Sequence, residues 1–237
     1  MKKNYLFLTI FLFLFFSFAF LYLFVRFPGF FFPDDNDFSN ITLREEELAL
    51  LNEGDIILQS GLGIVADSIL WALNEKVGLT HAAVLIQKDS GWHVIQSINT
   101  SLSGKTNGVH LIPLNELLIH TRPQSLIVVR PKLSEEQHSF FLTALQNFLE
   151  AQTPFDNNYS WSDSSEVYCS ELIIKSLMLA GWEINPKSLE FKGPVLAFRN
   201  FLNPDYFQPI LSHHKDFLAD KTITQGDESL QEGSLPY

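Results

Sequence analysis

The sequence predicts an α+β chain: an antiparallel sheet packed on helices, preceded by one N-terminal transmembrane helix. Three observations predict it. Residues 5–25 carry no charge. Short apolar segments between 55 and 129 are separated by turn residues, as strands are. Two later segments open on helix-start signatures and then repeat apolar residues at helical spacing.

The chain has 237 residues and a formal net charge of −11, room for an N-terminal segment plus one domain of ordinary size. Setting aside Lys2, Lys3 and Arg26 leaves 13 basic residues against 27 acidic ones. That surface argues against nucleic acid or anionic lipid as the main partner. No Cys-x-x-Cys, His-Glu-x-x-His or Walker glycine loop occurs, so neither metal nor phosphate cofactor is expected. Oligomeric state is not encoded in any pattern here.

Lys2-Lys3 precede the apolar run Tyr5–Val25, which Arg26 closes. As a helix it would span roughly 32 Å, the thickness of a hydrocarbon core. Ser17-Phe18-Ala19 resembles a signal-peptidase site, but the run continues six residues past Ala19, longer than an ordinary signal core. An uncleaved anchor over 1–26 is therefore expected, with membrane contact through residues 5–25. Lysines before it and Asp34, Asp35 and Asp37 after it place the soluble part on the periplasmic or outer side, in a single-pass cell-membrane protein. Residues 27–41 read as a linker, 42–210 as the folded domain and 211–237 as a polar, disordered tail.

Within the domain, Thr42-Leu43-Arg44-Glu45 reads as a capping box opening a helix that runs to about Leu51. Glu53-Gly54 turns into a strand at 55–59, and 64–74 read as a helix. Strands follow at 80–87 and 92–98 around Lys88-Asp89-Ser90-Gly91, turn chemistry that makes them a hairpin. A polar loop from Asn99 to Gly108 leads to a strand at 109–112, a short helix from Pro113, and a strand at 126–129. Ser134-Glu135-Glu136-Gln137 is a second capping box, after which Phe140, Phe141, Ala144, Leu145, Phe148 and Leu149 form one apolar face. Strand or loop segments continue from Gly181 to about Tyr206.

Cys169 is the only cysteine, in Tyr168-Cys169-Ser170-Glu171-Leu172. Leu172, Ile173, Leu177 and Ala180 recur at helical spacing and Gly181 ends the run, which puts Cys169 in a first turn. Unpaired N–H groups and the positive helix end then favour a thiolate. A lone cysteine forms no internal disulfide; it is an inert core residue or a nucleophile. Of seven histidines, His81 differs by opening an otherwise apolar strand; His93, His110, His120 and His138 follow ordinary alternation, and His213-His214 fall in the tail. If Asp89 and Ser90 form the hairpin loop, paired residues sum to 179, and Gln96 comes within diagonal reach of His81. A loop one residue different would bring His93, Ser97 or Asn99 there instead. Asp55 reads as a turn-forming or backbone-bonding carboxylate.

Gly54-Asp55-Ile56, Thr80-His81-Ala82-Ala83-Val84 and Tyr168-Cys169-Ser170-Glu171-Leu172 together resemble the circularly permuted papain-like peptidases of the NlpC superfamily, YiiX/YebB-like branch. Phe155-Asp156-Asn157-Asn158-Tyr159 resembles that branch's Tyr-Asp-x-x-Phe segment. The resemblance spans roughly residues 50–200. It implies a permuted papain-like fold and a thiol-dependent hydrolase of amide bonds, with Cys169 as nucleophile, His81 as general base and acid, and Gln96 in the third position. Glutamine there departs from the commoner carboxylate or histidine. Glu171, Tyr168 and Ser170 match the motif as binding or orienting residues. The expected substrate is a peptide, first of all one of the cell wall. A lipid acyl hydrolase or acyltransferase would use the same pair, and an idle envelope module would bind peptide without cleaving it.

Overall fold

The structure, a computed structural model, describes residues 11–18, 20–22, 41–74, 76–99, 107–161, 164–184, 186–215 and 217. Residues 11–18 and 20–22 are helical and exposed. No helix among the described residues is long and apolar enough to cross a membrane. The expected span Tyr5–Val25 extends beyond them at both ends, and the linker, most of the loop after Asn99 and most of the tail also lie outside them.

The domain is built on a six-stranded antiparallel sheet: β1 (Ile56–Gln59), β2 (His81–Lys88), β3 (Gly91–Ile98), β4 (Gly108–Pro113), β5 (Ile127–Pro131) and β8 (Phe207–Ser212). Their order across the sheet is β4-β3-β2-β1-β5-β8. Side chains alternate between two apolar layers. Ile56, Leu58, Ala82, Val84, Ile95 and Ile127 share a core with Phe141 and Leu145 of α4 (Glu135–Glu150) and Leu172, Ile173 and Leu177 of α5 (Cys169–Leu179). Ile57, Ala83, Leu85, Val94 and Val128 pack on Leu114, Leu117 and Leu118 of α3 (Leu114–Ile119). Burial on both faces is why the central strands read as continuous apolar runs. Each such side chain contributes about 1.5–3 kcal/mol by leaving water.

The hairpin register is the one the turn chemistry predicts: Val84 faces Ile95 and Lys88 faces Gly91. The second capping box also forms, Gln137 N donating to Ser134 Oγ and Ser134 N to Gln137 Oε1. The first does not. Helix α1 covers only Glu45–Leu48, and its start is closed by Arg44, whose backbone N–H donates to Glu47 Oε2 at 2.8 Å. The cap thus falls two residues after Thr42, and the buried Glu47 that closes it also meets His213 at 2.8 Å. That contact corrects the tail boundary as well: β8 runs to Ser212, and His214 is buried and donates to the Val77 carbonyl. Pro209 hides β8 from sequence reading, yet proline is tolerated on the edge strand it forms. Helix α2 covers Gly63–Leu73. Asp55, fully buried, caps Asn52 N and holds Arg130 through two nitrogens at 2.7 and 2.8 Å, a structural clamp at the end of β1 remote from His81.

Candidate active site

Three strands and one helix start converge on Cys169. The pairing of β2 with β3 runs from Lys88–Gly91 to Val84–Ile95 and stops, while β2 stays paired to β1 as far as Gln59–His81. Where β3 leaves, the segment before α5 enters: Ser97 Oγ donates to the Val167 carbonyl at 2.6 Å. Cys169 is the first residue of α5, and the backbone N–H of Ala82, next to His81, lies near enough to its sulfur to favour the thiolate.

Every neighbour of Cys169 in its motif is fastened. Tyr168 N donates to Glu171 Oε2 at 3.2 Å, which closes the helix start. The Tyr168 hydroxyl accepts from Leu196 N at 3.0 Å, and Ser170 Oγ donates to the Leu196 carbonyl at 3.2 Å. Leu196 belongs to a small hairpin, β6 (Phe191–Lys192) with β7 (Val195–Leu196). Both polar groups of one peptide residue are thus spent on the two flanks of the cysteine. Glu171 is fully buried and meets Lys175, one turn on, at 2.7 Å, their charges close but without a well-aligned hydrogen bond. Lys175 also lies 5.4 Å from the Trp161 ring centroid. Burial raises the Glu171 carboxyl above its ordinary range, against the pull of Lys175.

The thiol differs from the expectation of a helix-end thiolate. Cys169 and His81 are each only partly covered, yet the surrounding packing pushes the Cys169 thiol up to about 11, outweighing the backbone N–H groups of Ala82, Ser170 and Cys169 itself, and the Glu171 carboxylate acts in the same direction. Burial likewise pushes His81 down to about 4, against the opposing hydrogen bond of Gln96, with His110 lowering it further. At neutral pH both groups rest uncharged. No hydrogen bond joins sulfur and imidazole among the described residues; they are neighbours through the backbone of β2.

His81 Nε2 lies 2.6 Å from Gln96 Oε1, the diagonal contact the register predicts. An amide oxygen only accepts, so Nε2 carries the proton and the Nδ1 lone pair is available. Gln96 continues to His110, its cross-strand partner, with Nε2 to Nε2 at 3.2 Å. His110 had looked like ordinary alternation, and the unknown length of the β3–β4 loop hid its register. Tyr159, which closes the Phe155–Tyr159 segment, has a left-handed backbone (φ +53°), and its ring meets that of Tyr168 at a tilt with centroids 5.4 Å apart; its loop is held by the buried Asp156 carboxylate accepting from Asn158 N and Ser160 N. A cleft of about 480 Å³ between Gly54, Arg130, Ser134 and His138 lies at the other end of β1, and neither Cys169 nor His81 lines it.

The profile of one enzyme family, described as the permuted papain-like amidase enzymes YaeF/YiiX of family C92, matches residues 50–193. The chain belongs to that family. A solved structure titled metalloprotein yiiX from Escherichia coli O157:H7 is similar in fold, with 18% identity, a TM-score of 0.52, and 68% of this chain and 97% of that chain covered. No curated protein matches the chain. Family membership makes this an amidase-type hydrolase of the permuted papain-like kind. Permutation accounts for the order found, with the histidine strand first and the cysteine helix last. Among the described residues, no three His, Cys, Asp or Glu side chains are grouped to hold a metal ion.

Proposed function

We propose that this protein hydrolyses peptide amide bonds through a Cys169 thioester, with His81 as the proton carrier and Gln96 orienting it. The carrying observation is the sulfur at the head of α5, beside the Ala82 N–H and so next to a histidine whose Nε2–H is already engaged. His81 Nδ1 takes the Sγ proton as sulfur attacks the carbonyl carbon, and the carbonyl electron pair moves to oxygen. Backbone N–H groups at the start of α5 stabilise that oxyanion. The C–N bond then breaks, and the departing nitrogen takes the proton from His81. Water, deprotonated by His81, attacks the thioester, and sulfur leaves with the proton.

Because thiol and imidazole rest neutral, the proton moves during attack rather than beforehand. The family's amidase description and the apolar N-terminal run support a cell-wall peptide as substrate, met by a domain tethered outside the membrane. The full chain and its Cys169→Ala variant are to be incubated with muropeptides and, separately, with phospholipid vesicles. Peptide cleavage by the parent alone is the expected result. Cleavage that persists in Cys169→Ala would refute the nucleophile, and release of fatty acid alone would move the substrate to lipids.

A further inference from the structure

Gln96 has a weakness that a carboxylate in its place would not have. A carboxylate presents an acceptor to His81 whichever way it turns, whereas an amide turned over presents NH2 instead. Facing that NH2, His81 would have to accept at Nε2 and move its proton to Nδ1, leaving no lone pair for the thiol. Something has to fix the amide.

We infer that His110 is the positioning residue that fixes it, setting the tautomer of His81 from two strands away. His110 Nδ1 lies 2.9 Å from the Gly108 carbonyl, which can only accept, so Nδ1 carries a proton. Neutral His110 then has a bare Nε2, and that nitrogen faces Gln96 Nε2 at 3.2 Å. The amide must therefore direct its NH2 to His110 and its oxygen to His81, the arrangement found. The reverse orientation requires a proton on both nitrogens of His110, and so a cation. The direction of the whole chain is thus set by one backbone carbonyl.

That carbonyl is itself held in place. Gly108 has φ +109°, and a Cβ there would lie 2.3 Å from the Thr153 carbonyl oxygen, so only glycine fits. Val109 N donates to the same Thr153 oxygen at 2.8 Å, which ties the start of β4 to the end of α4. The acceptor at the far end of the relay is therefore part of the fold, independent of any substrate.

The inference rests on His81 as the base, but its test reads the imidazole directly. Two-bond ¹H–¹⁵N spectra of the full chain at neutral pH are compared for the parent, His110→Phe and His110→Gln. In the parent, His81 shows Nε2–H and bare Nδ1, and His110 the opposite pattern. In His110→Phe the amide loses its acceptor and His81 becomes a mixture of tautomers. In His110→Gln the new amide can present its oxygen but can also turn over, so the parental tautomer returns in part, with peptide-cleaving kcat reduced in the phenylalanine variant and partly recovered in the glutamine one at similar KM. A parental His81 tautomer in folded His110→Phe overturns the inference. So does a parent in which His81 carries its proton on Nδ1, a result that needs no variant to fold. Activity surviving in Cys169→Ala would instead strike the proposed hydrolysis and leave the tautomer result standing.

Discussion

The resting state of Cys169 can be measured through its reaction with iodoacetamide across pH. With the thiol near 11, the thiolate fraction at pH 7.5 is roughly 3 in 10,000, against about one tenth for an exposed cysteine of pKa about 8.5. Alkylation should therefore be roughly 300-fold slower than in an unstructured cysteine peptide at that pH, on ionisation alone. The rate should climb about tenfold per pH unit up to the thiol's own pKa. A thiolate–imidazolium pair cannot short-circuit this. Burial lowers His81 and raises Cys169, and both shifts disfavour the charged pair. A rate that levels off below about pH 8, and loses that plateau in His81→Ala, would refute the reasoning: it would mean a preformed ion pair and burial far less effective than the surrounding packing implies.

Stability should respond to the same burial. His81 titrates near 4 in the folded chain and near 6.5 when unfolded, so its contribution is intact above about 6.5 and lost as pH falls towards 4, up to roughly 3 kcal/mol. Urea midpoints in His81→Phe should lose that part of the pH dependence, and an unchanged slope counts against it. Tyr168→Phe strands the Leu196 N–H and should cost about 1–3 kcal/mol in chemical denaturation, while Tyr206→Phe, a half-buried ring packed on Trp182, serves as the comparison. Lys175→Met leaves the buried Glu171 carboxylate unpaired and should cost about 3–5 kcal/mol, with Glu171→Gln in the same chain recovering much of it. A Lys175→Met melting curve matching the parent would show that the pair is not what holds the helix start.

Local chemistry made much of this domain legible. Lys88-Asp89-Ser90-Gly91 fixed the hairpin loop, and alternation then carried Gln96 to His81, because side-chain period and turn length leave one register. The spacing of Leu172, Ile173 and Leu177 placed Cys169 at a helix start for the same kind of reason. What stayed hidden is non-local. The ionisation of Cys169 depends on what covers it, and a helix-end argument counts only the donors on its own helix. Glu47 closes the first helix from Arg44 and is bonded by His213 from the far end of the domain, a partner that the local Thr42-to-Glu45 pattern does not contain. His110 reaches Gln96 across a loop whose length does not specify pairing. Leu196, which engages Tyr168 and Ser170 by backbone alone, has no side-chain signature to find.

The grip of Leu196 on both flanks of the nucleophile has a consequence for biosynthesis. Chains fold as they leave the ribosome, N-terminal parts first. In this order of elements the proton-carrying strand emerges early, the sulfur much later, and the peptide group that seats the sulfur later still. A nascent chain exposing Cys169 but not Leu196 holds the thiol on a helix start that nothing yet clamps. The seat of the nucleophile is thus complete only once the β6–β7 hairpin has docked.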